Sequence, residues 1–136
     1  HEEARRAEPA LQRVLLVDDD DQLRTLHGAI LTDEGYAVSH ATNGLEAVSL
    51  CQLKGFDLVI VELHLPGSHH LRIIESLRQQ ASDTKFIGTA KVGPLQTDYC
   101  DRMARQFGAN HVLTKPFPPE QLLFAARNVL TKKSNQ

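Results

Sequence analysis

The sequence predicts a doubly wound α/β domain: an open, parallel, five-stranded sheet with helices on both faces. Short, continuously apolar runs recur along the chain, the strongest being VLLV at 14–17 and LVIV at 58–61. Such runs suit strands that are buried on both faces. Helical patterns separate them, so that strand and helix alternate five times with short connections and no repeated segment. That alternation is the signature of a parallel sheet built from crossover units.

Taken in order, residues 1–12 are polar and interrupted by Pro9, and they read as an N-terminal arm or linker. The domain proper is expected over 13–131, with a polar tail at 132–136. Val14 to Val17 form the first strand, which ends in Asp18, Asp19, Asp20 and Asp21. A helix begins there, with Leu23, Leu26, Ile30 and Leu31 on its apolar face and Gly35 as its stop. Residues 36–40 alternate in character and read as a weaker strand near a sheet edge. Asn43 and Gly44 turn the chain into a helix carrying Ala47, Val48 and Cys51, closed by Gly55.

Leu58 to Val61 are the third strand. A loop with Pro66, Gly67 and two histidines follows, then a helix with Leu71, Ile74 and Leu77. Phe86 to Ala90 form the fourth strand, and the next helix carries Cys100, Met103, Ala104 and Phe107 before Gly108 ends it. His111 to Thr114 are the fifth strand, broken by Lys115, Pro116 and Phe117. Pro118, Pro119 and Glu120 open a last helix with Leu122, Leu123, Ala126, Val129 and Leu130 inward.

Composition narrows the function. A chain of 136 residues fits one domain with one core. Its formal charge of −2 gives no reason to expect nucleic acid or an anionic membrane as a direct partner. No apolar run approaches the roughly 18–20 residues that span a bilayer, and the charged start lacks a signal-peptide centre, so a cytoplasmic location is expected. The first residue is His rather than Met, which suggests processing or excision. Cys51 and Cys100 fit no metal or redox spacing and read as buried thiols on helix faces.

Folds of this class bind ligands beyond the carboxyl ends of their strands. Reading those places gives Asp18 and Asp19, then Glu62, Thr89 and Lys115. Three carboxylates, a hydroxyl and an ammonium would converge on one patch. Carboxylate oxygens suit a hard cation such as Mg²⁺, and a lysine beside a hydroxyl makes a cradle for a phosphoryl group. Helix capping is the plainer account of the aspartates, and it covers Asp20 or Asp21 better than the whole cluster. A phosphate-binding cofactor module is disfavoured, because carboxylates rather than a Gly-rich loop follow Val17.

Four segments in order, VLLVDDD at 14–20, DLVIVELHLPG at 57–67, GTA at 88–90 and FGANHVLTKPF at 107–117, resemble the receiver domains of bacterial two-component response regulators. The resemblance implies a flavodoxin-like (βα)5 sheet in the order 2-1-3-4-5. It places the phosphoacceptor at Glu62, which is also a Mg²⁺ ligand, with Asp19 as direct and Asp18 as water-mediated ligand and the His64 carbonyl completing the site. Thr89 becomes the switch hydroxyl and Lys115 the phosphoryl contact, followed by a cis bond to Pro116. The implied partners are a histidine kinase or a downstream effector, or a second copy docking through the fourth helix, fifth strand and fifth helix. Catalysis as an enzyme is not expected.

Three positions depart from the family pattern. Glu62 stands where aspartate accepts the phosphoryl group; one extra methylene displaces the carboxylate by roughly 1 Å, enough to cost on the order of 100-fold in an in-line attack. His69 and His70 replace an Asp-Gly pair, and Val112 replaces the aromatic that reports the switch. With His64, these histidines invite a transition-metal reading, but loop histidines are ordinarily solvated and their spacing matches no standard site. The expectation is therefore a constitutive or phosphorylation-independent interaction module with weakened Mg²⁺ binding, in which Glu62 either imitates the phosphorylated state or leaves the domain inert in an ion pair with Lys115. Its rival is a conventional Mg²⁺-dependent phosphoacceptor.

Overall fold

The computed structural model describes residues 11–63, 75–79, 83–91, 102 and 108–131. Five parallel strands, β1 (Arg13–Val17), β2 (Ala37–Ala41), β3 (Leu58–Glu62), β4 (Lys85–Ala90) and β5 (His111–Thr114), form one sheet in the order β2-β1-β3-β4-β5. The expected order is met, and the weakly apolar β2 lies at an edge. Helices α1 (Asp21–Asp33), α2 (Gly44–Leu53) and α3 (Pro119–Thr131) flank it, and residues 75–79 are also helical.

The continuous apolar runs are explained by the layering. All five residues of β3 are buried. Successive side chains of a strand point to opposite faces, so each run supplies two cores. Leu15, Val17, Val59, Val61 and Phe86 fill one, together with Ala47 of α2 and Leu77. Val14, Leu16, Leu58, Ile60 and Ile87 fill the other, against Leu31 of α1 and Leu122, Ala126 and Val129 of α3. Each such fully buried side chain stabilises the fold by about 1.5–3 kcal/mol. Leu15 and Leu58 are wholly inaccessible, so truncating either to alanine should cost about 2–5 kcal/mol.

Helix ends follow local chemistry. Gly35, at φ 106°, closes α1 as anticipated: its N–H bonds the Thr32 carbonyl at 3.0 Å while Tyr36 N–H bonds Leu31 at 3.1 Å. Gly55 does not close α2. That helix ends at Leu53, with Lys54 extended as its cap, and no left-handed residue is used. The apolar face expected for α1 also needs correction. His27, Gly28 and Leu31 are its buried residues, whereas Leu26 is 55% exposed. Gly28 faces His40 so closely that a Cβ there would lie 2.7 Å from the imidazole, so a larger residue could not stand there without displacing that ring. Cys51 is half-buried against the first core rather than fully enclosed, and burial raises its thiol pKa. Cys100, Met103 and Phe107 lie outside the described residues.

Candidate functional site

The carboxyl ends of β1, β3, β4 and β5 bring four of the anticipated side chains together. Parallel pairing sets Val17 beside Val61 and Glu62 beside Thr89, so the residues that follow or finish these strands meet at one edge. Lys115, which follows β5, reaches back across the sheet. Its Nζ donates to Asp18 Oδ2 at 2.7 Å and to Glu62 Oε1 at 2.5 Å. Thr89 Oγ1 donates to the same Glu62 oxygen at 3.4 Å. Asp18, Glu62 and Thr89 are all buried, Glu62 to 2% exposure, and the Lys115 side chain is 5% exposed.

Two buried carboxylates thus share one buried ammonium. Burial alone would lower the Lys115 pKa, but hydrogen bonds and charge from Asp18 and Glu62 outweigh it, and the net shift is upward. The lysine is therefore held as a cation. The Lys115-Pro116 peptide is cis. Val112 is half-buried, pairs with Gly88 and packs on the first core.

The four aspartates after β1 divide their labour. Asp20 caps α1, accepting from Leu23 N–H at 3.0 Å, and this bond is the main reason its pKa lies below the ordinary value. Asp21 pairs with Arg24 on the helix surface. Asp18 accepts from Asp20 N–H through Oδ1 at 2.9 Å, while Oδ2 takes the lysine. Asp19 is exposed and stands outside the lysine cluster. His64, His69 and His70 lie outside the described residues.

Three contributors to the site were not singled out from sequence. Arg24 donates to the Asp18 carbonyl at 2.7 Å, tying the acidic turn to α1; its place three residues after Asp21 was the available signal. Lys91, just beyond β4, stands 3.8 Å from Asp20. His27 stacks on Phe117, with ring centroids 4.8 Å apart and planes 21° from parallel. Burial, then the Lys115 charge, lowers the His27 pKa, against opposing pulls from Asp18 and Asp20.

Mg²⁺ demands near-octahedral oxygen ligation. Both Asp18 oxygens are already engaged, and an ammonium occupies the space between Asp18 and Glu62. Among the described residues, no three acidic, histidine or cysteine side chains are grouped as a cation would need. As arranged, the donor set does not fit the metal unless Lys115 withdraws.

Comparison with known proteins identifies the family. A family model described as the response regulator receiver domain matches residues 14–127. The aerobic respiration control protein ArcA of Escherichia coli is 31% identical over 122 residues, 90% of this chain and 50% of its own length. The response regulator SaeR of Staphylococcus aureus is 30% identical over 123 residues, 90% of this chain and 52% of its own. The chain thus spans about half the length of these curated relatives. Among solved structures, chemotaxis protein CheY4 of Vibrio cholerae superposes with a TM-score of 0.78 at 30% identity, covering 88% of this chain and 99% of that one. A CheY-like receiver domain from Methanospirillum hungatei gives 0.80 at 26% identity, covering 89% and 94%. With its sheet order and the family match over residues 14–127 in accord, this chain belongs to the receiver domains of two-component response regulators.

Proposed function

We propose that this receiver domain works as a phosphorylation-independent interaction module, with Lys115 serving as the resident counter-ion of its acid pocket. Receiver domains are signalling modules that interact with histidine kinases and effector domains, and they generally bind Mg²⁺ at the acceptor site. The observation that carries the present reading is the closure of Lys115 onto both Asp18 and Glu62. Glu62, a methylene longer than aspartate, reaches Lys115 and Thr89, the two groups that the family pattern assigns to a phosphoryl oxygen. A phosphodonor must therefore displace an ion pair and accept a nucleophile out of position, two costs that compound. Mg²⁺ entry meets the same obstacle, and the exposed Asp19 alone is a weak ligand, so metal affinity is low.

The partner face of such a module is the β5–α3 side. Phe124 of α3 is 68% exposed and His111 of β5 is exposed at the sheet edge, which supports docking of a partner or a second copy there. An exposed aromatic of this size is common at interfaces.

Beryllofluoride titration with Mg²⁺, followed by amide NMR, tests the proposal. The expected result is no saturable shift around Glu62, Thr89 and Lys115 at millimolar reagent. A stoichiometric shift there would replace this reading with the conventional phosphoacceptor. Glu62→Asp should restore the response, because geometry rather than carboxylate chemistry is the block.

A further inference from the structure

We infer that the crevice between α1 and the turn after β5 binds a small amphipathic anion: a flat apolar ring system bearing one anionic group. The crevice encloses about 350 Å³ at the carboxyl ends of β4 and β5. That is the size of small-molecule sites, and the place where folds of this class put their ligands. Leu23 and Leu26 of α1 form one wall, and Pro116 with Phe117 forms the other. The His27–Phe117 stack offers a flat aromatic surface between them. Burial keeps that imidazole toward its neutral form, so the wall is apolar in character.

Charge selects the head group. The charged side chains lining the crevice, among the described residues, are Lys91 and Lys115. Lys115 is already neutralised by Asp18 and Glu62. Lys91 is paired only loosely: its side chain is 58% exposed, and Asp20 Oδ2 stands 3.8 Å away, beyond direct hydrogen-bond reach, while Asp20 Oδ1 caps the helix. An anion at the rim would close on Lys91 while its ring covered Leu26, an apolar side chain left 55% exposed beside the opening. Because Pro116 and Phe117 directly follow Lys115, occupancy would bear on the turn that presents the ammonium to the acid pocket. The inference rests on the crevice walls and holds whether or not Glu62 accepts a phosphoryl group.

Titration of the full chain with 2-naphthoate, and separately with neutral 2-naphthamide, monitored by ¹⁵N–¹H NMR, decides it. Naphthoate should give saturable one-site shifts confined to Leu23, Leu26, His27, Lys91 and Phe117, with a Kd on the order of 0.1–1 mM for a probe of this size. Lys91→Gln should weaken naphthoate about 5-fold and leave naphthamide unchanged, as expected for one partly exposed ion pair. Leu26→Gln, at an exposed position that folding does not need, should weaken both. Shifts that fail to saturate or that scatter over the surface would overturn the proposal. So would naphthamide binding as tightly as naphthoate, or indifference of naphthoate to Lys91→Gln.

Discussion

Two strand-to-helix turns stand side by side at the same end of the sheet, and their acids do opposite things. In the turn from β2 to α2, every acidic interaction is local. Asn43 caps α2 by accepting from Glu46 N–H at 2.9 Å, and Glu46 turns back to take Thr42 N–H at 2.6 Å and Thr42 Oγ1 at 2.7 Å. These bonds lower the Glu46 pKa and finish the turn without outside help. In the turn from β1 to α1, Asp20 and Asp21 do the same local work, but Asp18 is left over. It is buried and bonds Lys115, 97 residues away. In these two turns the carboxylates satisfied within four residues hold a helix, whereas the buried one satisfied across the chain holds the site.

The sharpest way to test that distinction is to remove the shared cation. Lys115→Met strands two buried carboxylates, and breaking such an arrangement costs about 3–5 kcal/mol. Urea denaturation at neutral pH should show that loss, and adding Glu62→Gln should recover part of it. A loss below about 1 kcal/mol would mean that the pair is screened by water and that the pocket is an ordinary surface bridge. The pH dependence carries a second signature. Because the folded Lys115 pKa is raised, its contribution is complete below the unfolded value of about 10.4 and disappears as pH rises through the folded one. The wild type should therefore lose stability in alkali more steeply than Lys115→Met does.

His27, which sits between α1 and the lysine turn, tests the other limb. Its folded pKa is depressed, so the unfolded chain takes up a proton first as pH falls below about 6.5. Stability is then lost toward acid, at up to about 1.4 kcal/mol per pH unit for one full proton. His27→Phe should preserve the stack on Phe117 and flatten the pH profile below about pH 6.5. An unchanged profile would show that the imidazole is solvated after all.

The legibility of these features in the sequence follows the same local-versus-distant divide. Strand positions, helix caps and the Gly35 stop are short-range chemistry, and they could be read directly from apolar runs and turn residues. The convergence of Asp18, Glu62, Thr89 and Lys115 is long-range, yet it too was legible, because a parallel α/β sheet brings its strand ends to one edge. What escaped was orientation. Periodicity put Leu26 on the inner face of α1 and gave His27 no role, since a 3.6-residue repeat cannot tell which of two adjacent residues the neighbouring strand will crowd. In the structure His27 and Gly28 take the buried positions, and Leu26 is left exposed along the crevice beside Lys115.

Smaller effects probe the local turns themselves. Asn43→Ala and Asp20→Ala each remove one cap bond, and each should cost about 1 kcal/mol in thermal or urea denaturation. The two values should be equal within experimental error if the caps are equivalent. A clearly larger cost at Asp20 would mean that its rim contact with Lys91 adds to the cap.

The smallest predicted effect is the most informative about the metal. Asp19 and Asp18 are neighbours in the chain, but Asp19 is exposed while Asp18 carries a charge-assisted bond to Lys115. Asp19→Asn should change stability by no more than about 0.5 kcal/mol, as for a surface substitution. Asp18→Asn should cost about 1.5–3 kcal/mol, the contribution of a hydrogen bond to a charged partner. Repeating both in 10 mM MgCl₂ separates structure from ligation. If Mg²⁺ stabilises the wild type and Asp19→Asn abolishes that gain, Lys115 does yield to the cation and the acid pocket is a working metal site. If Mg²⁺ shifts neither variant nor the wild type, the lysine has permanently taken the metal's place.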